Sequence, residues 1–273
     1  MPPPDTLDRP GPLPLAVHSL GDGPPVLFLH GLFGSGRIWR SLAAQLASEW
    51  RCLLVDLRGH GSSPKLPPLT YPAMAEDLCA LLDREGLAEA ALVGHSMGGK
   101  VAMTLALAHP ERVPRLAVLD IAPVAYAPER LAPIVDALRA LKLDGIRRRA
   151  DADRQLAAAI PDPAVRGFLL TNLQIGPEGA RWRLDLALIR EFLPELSGFP
   201  EEILASARYS GPALFLHGAR SDYVRDAHRA AILGRFPRAR LEQVPGAGHW
   251  LHWERPRQVV ERLRRFLSEP DHG

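Results

Sequence analysis

Gly94-His95-Ser96-Met97-Gly98-Gly99 is the stretch that decides how this chain folds. The run before it, Ala90-Ala91-Leu92-Val93, is short and apolar, and residues 100–108 after it carry helical spacing. A G-x-S-x-G pentapeptide between a strand and a helix turns the chain sharply and lifts the serine hydroxyl above the end of a parallel sheet. The flanking glycines are needed because a side chain there would collide with the neighbouring strand and helix. Alone the pentapeptide is a weak signal, since a Ser-Gly turn is often only a turn. Here both flanks match, and Ser96 is the expected nucleophile.

Outward from the elbow, apolar runs bounded by turn residues alternate with helical patterns, the mark of a parallel sheet covered on both faces. Val26-Leu27-Phe28-Leu29, Cys52-Leu53-Leu54-Val55, Leu116-Ala117-Val118-Leu119, Ala213-Leu214-Phe215-Leu216 and a short run around Leu241 to Val244 read as strands. Residues 38–48, 72–85 and 256–267 read as helices, the last opened by Pro256 at a position helices tolerate. Between Ala125 and Phe199 strand signals vanish, and leucine-rich helical patterns broken by Pro161, Pro163, Gly176-Pro177 and Gly198 take over. The expected architecture is an α/β core over 1–124 and 200–273, with a helical cap, or lid, over 125–199.

With 273 residues the chain can bury a large core. Its 47% hydrophobic and 23% charged residues and net charge of +2 fit a soluble globular protein with no pull toward nucleic acid. No stretch approaches the roughly 18 continuous apolar residues of a membrane span. Met1-Pro2-Pro3-Pro4-Asp5 lacks the basic and apolar regions of a signal peptide, so a cytoplasmic location is expected. Cys52 and Cys79, the two cysteines, read as small buried hydrophobes rather than as a disulfide or metal site. The oligomeric expectation is a monomer or homodimer.

A serine hydroxyl needs a base to take its proton. The candidate is His249, whose Gly246-Ala247-Gly248-His249-Trp250 setting frees the backbone to aim a ring into a pocket. His252 lacks that setting and reads as structural. Oxyanion stabilisation needs two backbone N–H donors where charge develops. Met97 supplies one at the helix start, and Leu32, in His30-Gly31-Leu32-Phe33-Gly34, supplies the other, with Phe33 as a wall of the substrate pocket.

These segments, with Asp56 to Ser63 and Asp120-Ile121-Ala122-Pro123, resemble the α/β-hydrolase superfamily. HGLFGS, GHSMGGK and DIAPV are similar to its branch of α/β-hydrolase domain-containing protein 11 and bacterial esterases. The resemblance covers roughly 25–123 and 210–267. It implies an α/β-hydrolase fold and a Ser-His-Asp triad that cleaves carboxylic esters or acyl thioesters through an acyl-enzyme, without cofactor or metal. It also makes the Asp56–Ser63 turn architectural.

The acid divides two readings. Most of the superfamily carries it three residues past the glycine of the penultimate strand, a place taken here by Ser221, with Asp222 one residue late. The branch it resembles uses an aspartate after the preceding strand, which is Asp120. Asp120 is favoured and Asp222 stays in competition. Arg147-Arg148-Arg149 could meet the phosphates of a coenzyme A thioester, although a charge run is more often a solvated face. The same triad would also serve acyl transfer, C–C hydrolysis or cofactor-free perhydrolysis, and a non-enzymatic receptor is a more remote reading.

Overall fold

The computed structural model describes residues 11–270, so the proline-rich start at Met1 to Asp5 lies outside the described residues. The chain opens with β1 (Val17–Leu20), β2 (Pro25–Leu29), α1 (Arg40–Ala43), β3 (Arg51–Val55), α2 (Tyr71–Arg84), β4 (Ala91–His95), α3 (Met97–Ala108) and β5 (Leu116–Leu119). The inserted segment then carries α4 (Ala132–Ala140), α5 (Arg149–Leu156), α6 (Pro163–Leu169), β6 (Leu173–Gly176), β7 (Gly179–Trp182), α7 (Leu186–Glu191) and α8 (Leu193–Ser197). Last come β8 (Ala213–Gly218), α9 (Arg229–Arg235), β9 (Ala239–Val244), α10 (Leu251–Glu254) and α11 (Pro256–Leu267).

One sheet of seven strands runs in the order β1-β3-β2-β4-β5-β8-β9. Only β1, at the edge, runs antiparallel to its neighbour. Strand alternation divides the core into two layers. Leu27, Leu29, Leu53, Val55, Leu92, Val118 and Phe215 face α2 and α3 in one layer. Val26, Phe28, Leu54, Val93, Leu119 and Leu216 meet α1 and α11 in the other. Burial on both faces is why these strands are written as unbroken apolar runs. α11 buries Val259, Val260, Leu263, Phe266 and Leu267 along one side, and α2 is capped by Thr70, whose side chain accepts from Ala73 N.

The strand order reverses between β2 and β4, since β3 lies on one side of β2 and β4 on the other. Open α/β sheets bind ligands in the crevice at the carboxyl ends of such a pair. Here those ends lead into Gly31-Leu32-Phe33 and into Ser96.

Three local expectations need correction. The helix expected over 38–48 is only the single turn of α1, preceded by a 3₁₀ turn at Gly36–Trp39 and followed by further tight turns to Ser48. Its apolar residues Trp39, Leu42 and Leu46 are buried as the periodicity requires. Mixed bonds, such as Gln45 N to Leu42 O and Ala47 N to Ala43 O, tighten the chain so that it reaches β3 at Arg51. The inserted segment is not all helix, because β6 and β7 pair as a hairpin in which Gly176 faces Gly179. Gly176-Pro177, read as a helix breaker, begins its turn, and Gly179 takes φ +103°, a conformation that favours glycine. The edge strand β1 has no counterpart in the sequence reading.

The turn from Asp56 to Ser63 braces the loops above it. Arg58 and Asp77, both buried, pair through two short bonds of 2.7 and 2.6 Å, and Asp77 also accepts Leu13 N. His30 and His60 lie fully buried with rings 5.1 Å apart. His30 Nε2 accepts the Leu57 amide and its Nδ1 meets Gly31 O, while His60 Nε2 accepts the Phe33 amide and its Nδ1 meets Arg58 O. Each ring is thus a neutral imidazole with one donor and one acceptor in use. Burial lowers the pKa of His30 to about 4 and that of His60 to about 3.

Two outcomes follow. Asp77→Ala leaves the buried Arg58 guanidinium unpaired and should destabilise the fold by about 3–5 kcal/mol, read from chemical denaturation. The pH dependence has a definite sign: an unfolded histidine takes up its proton near pH 6.5, whereas these folded ones resist until about pH 4 and 3. Stability is therefore full above pH 6.5 and falls as pH drops below it, by about 1.4 kcal/mol per pH unit for each such ring. His252, also buried and lowered to about 3, belongs to the same set. His252→Phe should remove one ring's share of the slope in thermal melts between pH 7 and pH 5, and an unchanged slope would refute burial as the neutral form.

Candidate active site

Ser96 stands directly after β4 with φ +51° and ψ −118°, outside the regions L residues ordinarily occupy. Its amide continues the sheet ladder to Leu119 O at 3.0 Å, which fixes the turn against β5. A Cβ at Gly94 would meet the backbone of Gly98 and Gly99, and one at Gly98 would meet the carbonyls of Leu29 and His30. The two glycines of the pentapeptide are therefore required by backbone approach.

His249 Nε2 lies 3.2 Å from Ser96 Oγ, and its Nδ1 lies 2.7 Å from Asp120 Oδ2. Asp120 follows β5 as Ser96 follows β4, with its amide donating to Leu216 O at 2.8 Å and φ +53°. Its side chain is wholly buried. Oδ1 accepts the Gly218 amide at 2.9 Å, and the Ser221 hydroxyl donates to Oδ2. Ser221, three residues past Gly218, thus reaches the Asp120 carboxylate.

Asp222 is not brought to the histidine. Its carboxylate, 67% exposed, pairs with Arg130 at 2.6 Å. Arg130 in turn lies 4.5 Å over the Tyr223 ring, which stacks on the His249 imidazole at 4.0 Å and 19°. The far side of the histidine is held by His95, whose Nε2 donates to His249 O at 2.9 Å. Burial and neighbouring histidines hold the His95 pKa well below its ordinary value, so it acts here as a neutral donor. His252 packs 4.4 Å from His95 and 4.7 Å from Trp39, beneath the site.

Leu32, Phe33 and Met97 border one cavity with Ser96 and His249. Phe33 has φ +65°, and its amide goes to His60 and its carbonyl to Asn172 Nδ2 at 2.7 Å. Among the described residues, no backbone acceptor engages the amide of Leu32 or of Met97. The Met97 amide begins α3, where helix geometry leaves N–H groups without partners. The cavity measures about 770 Å³. Leu131, Ile134, Val165, Phe168 and Leu196 of the inserted segment form much of its wall.

The Arg147–Arg149 run does not border this cavity. Arg149 donates to the carbonyls of Leu170 and Leu173, and the amides of Arg147 and Arg148 go to Asp151. Glu76, Cys79 and His109 form a separate cluster on the α2–α3 side, away from Ser96. Tyr223, Ser221 and Asn172 are supports that the sequence reading did not single out. Only Ser221 had a signal there, as the residue in the position most of the superfamily gives to the acid.

Residues 24–256 match the alpha/beta hydrolase fold family. The chain is 41% identical over 268 residues to a mouse protein named sn-1-specific diacylglycerol lipase ABHD11, a match covering 94% of this chain and 86% of the relative. It is 36% identical to the Escherichia coli esterase YbfF, covering 90% of this chain and 93% of that one. Among solved structures it is similar to a marine microorganism esterase with a TM-score of 0.88 at 35% identity, covering 93% of this chain and 99% of that one. The chain belongs to the α/β-hydrolase family, in the branch that holds these esterase- and lipase-named relatives, and is a hydrolase by that membership.

Proposed function

We propose that the protein is a serine esterase working through an acyl-enzyme on carboxylic esters or acyl thioesters. One observation carries this reading: Ser96, His249 and Asp120 form a continuous relay of 3.2 and 2.7 Å beside an apolar cavity. His249 Nε2 takes the Ser96 proton as Oγ attacks the carbonyl carbon. Asp120, accepting from Nδ1–H, holds the productive tautomer and offsets the imidazolium charge that forms. The Leu32 and Met97 amides receive the developing oxyanion, the second from the positive end of α3. His249 then gives its proton to the leaving alcohol or thiol. In the second half the same nitrogen takes a proton from a water that attacks the acyl carbonyl, then gives it to Ser96 Oγ as that bond breaks and the acid leaves.

Ser96→Ala should abolish ester turnover and fluorophosphonate labelling in a folded protein, and labelling that survives would refute the nucleophile. Asp120→Asn should lower kcat by about 10⁴ through the wrong histidine tautomer. Asp222→Asn should lower it far less, because that carboxylate reaches His249 only through Arg130 and Tyr223. A reversed ranking in steady-state kinetics would overturn the assignment of the acid.

We also propose that 125–199 is a cap that sets acyl selectivity, supported by its contribution of Leu131, Ile134, Val165 and Phe168 to the cavity wall. Phe168→Ala should shift the preferred chain length in an acyl series and leave labelling by a small phosphonate intact. A second reading, acyl transfer to an alcohol, has support from a yeast relative (Saccharomyces cerevisiae) named probable alcohol acetyltransferase, 33% identical over 268 residues. Partitioning of the acyl-enzyme between water and an added alcohol, read from the products, separates the two.

A further inference from the structure

The cavity beside Ser96 is apolar over most of its wall, and among the described residues no aspartate or glutamate borders it. Lys100 does, one helical turn along α3 from the nucleophile. Its side chain is almost wholly buried, with the residue 2% exposed. The ammonium donates to Ser197 O at 2.9 Å and to Gly198 O, with the Tyr126 ring centre 4.8 Å away and that of Tyr71 5.5 Å away. An ammonium has three N–H groups, and these carbonyls take two.

Lysine is almost never fully buried unless paired, because an unpaired charge loses its hydration. Among the described residues, no carboxylate pairs with Lys100. Burial lowers its pKa to about 7, and a carboxylate beside it would favour the charged form. Beside it, Ser197, 3% exposed, borders the same cavity, and its Oγ is buried without a hydrogen-bond partner. A hydroxyl in that state is an exception to the near-complete pairing of buried polar groups.

Lys100 also has a fastening role, since it ties the end of α8 to α3 together with Tyr71 Oη on Leu196 O and Tyr126 N on Ser197 O. Fastening accounts for the two carbonyl bonds. The Tyr126 and Tyr71 ring faces offset part of the charge, but neither they nor the fastening supplies a carboxylate for the third N–H or a partner for the Ser197 hydroxyl. One ligand oxyanion would answer both, taking the third ammonium proton and, once the Ser197 side chain rotates toward the cavity it borders, the serine proton.

We infer that Lys100 and Ser197 form a subsite for a carboxylate carried on the acyl chain, so that the preferred substrates are esters or thioesters of short dicarboxylic acids. The inference rests on the serine-esterase reading and names its substrate class. Four residues of helix separate Ser96 from Lys100, a rise of about 6 Å. Both residues border one cavity, so a carbonyl at Ser96 and a carboxylate at Lys100 can belong to one short acyl chain. In a cavity without such a subsite the opposite preference holds, because moving a carboxylate into an apolar wall is unfavourable.

The test compares kcat/KM for mono-aryl esters of succinic, glutaric and adipic acid with neutral aryl esters of the same chain length. The expected ratio for wild type favours the charged ester by about tenfold or more, as suits a hydrogen bond to a charged group. Ser197→Ala should cut the ratio several-fold, and Lys100→Met should reverse it. Fluorophosphonate labelling of each variant reports a folded, competent Ser96, and Ser197→Ala keeps the test available should Lys100→Met fail to fold. A wild-type preference for the neutral ester, or a ratio unmoved by Ser197→Ala, overturns the subsite. Absence of labelling and of turnover on every ester would instead overturn the esterase reading.

Discussion

Three turns at the carboxyl edge of the sheet hold a backbone conformation that L residues resist, and the site depends on them. Phe33, Ser96 and Asp120 are the non-glycine residues with positive φ among those described, and they follow the neighbouring strands β2, β4 and β5. Such conformations cost about 1–3 kcal/mol each and persist only where the surroundings over-determine them. Here the surroundings are identifiable. Phe33 is held by His60 from below and Asn172 from above, and Ser96 and Asp120 each extend the sheet ladder by one amide. An ordinary conformation at either strand end would send Ser96 Oγ or the Asp120 carboxylate along a different direction, and one imidazole could no longer lie between them.

In the proposed relay the carboxylate comes from the end of β5, and the geometry around it shows what supports it there. Asp120 and Ser221 stand past adjacent parallel strands, β5 and β8, so both side chains converge on the same space above the sheet. With the carboxylate on β5, the residue in the β8 position becomes a donor to it, and Gly218 N supplies a second. Asp222, one residue further, turns outward to Arg130 and takes a different part, steadying the Tyr223 ring on the imidazole.

Much of this was legible in the sequence because the strongest signals are backbone constraints. Glycine at 94 and 98 is required by contacts with neighbouring backbone, and a sheet buried on both faces writes its strands as plain apolar runs. What stayed hidden lacks such a signature. The hairpin β6–β7 is four residues a side, with half of its residues exposed and glycines at its turn, too short for alternation to stand out. Trp39, Leu42 and Leu46 are spaced for a helix, yet the chain must return to β3 within a few residues and does so in tight turns. The surroundings of Lys100 depend on carbonyls almost a hundred residues away, which no local pattern in the elbow could reveal.

These long-range contacts also bear on how separable the inserted segment is from the sheet. Its buried residues Val135, Leu138, Leu169 and Leu196 share one apolar layer with α2 and α3. Besides the Lys100 and Tyr71 bonds to α8, its polar ties are placed at the strained turns and their supports. Asn172 holds the Phe33 carbonyl, Tyr126 Oη lies between the Ala122 amide and the Tyr223 carbonyl, and Arg130 covers Tyr223. Side chains such as Ile134, Val165 and Phe168 border the cavity without taking part in those bonds. The segment therefore carries two kinds of residue. Apolar wall positions can change in size and reshape the cavity, whereas Asn172, Tyr126 and Arg130 carry any change into the loop after β2 or the stack on His249. Cavity shape and relay geometry are separable only as far as those three contacts are kept.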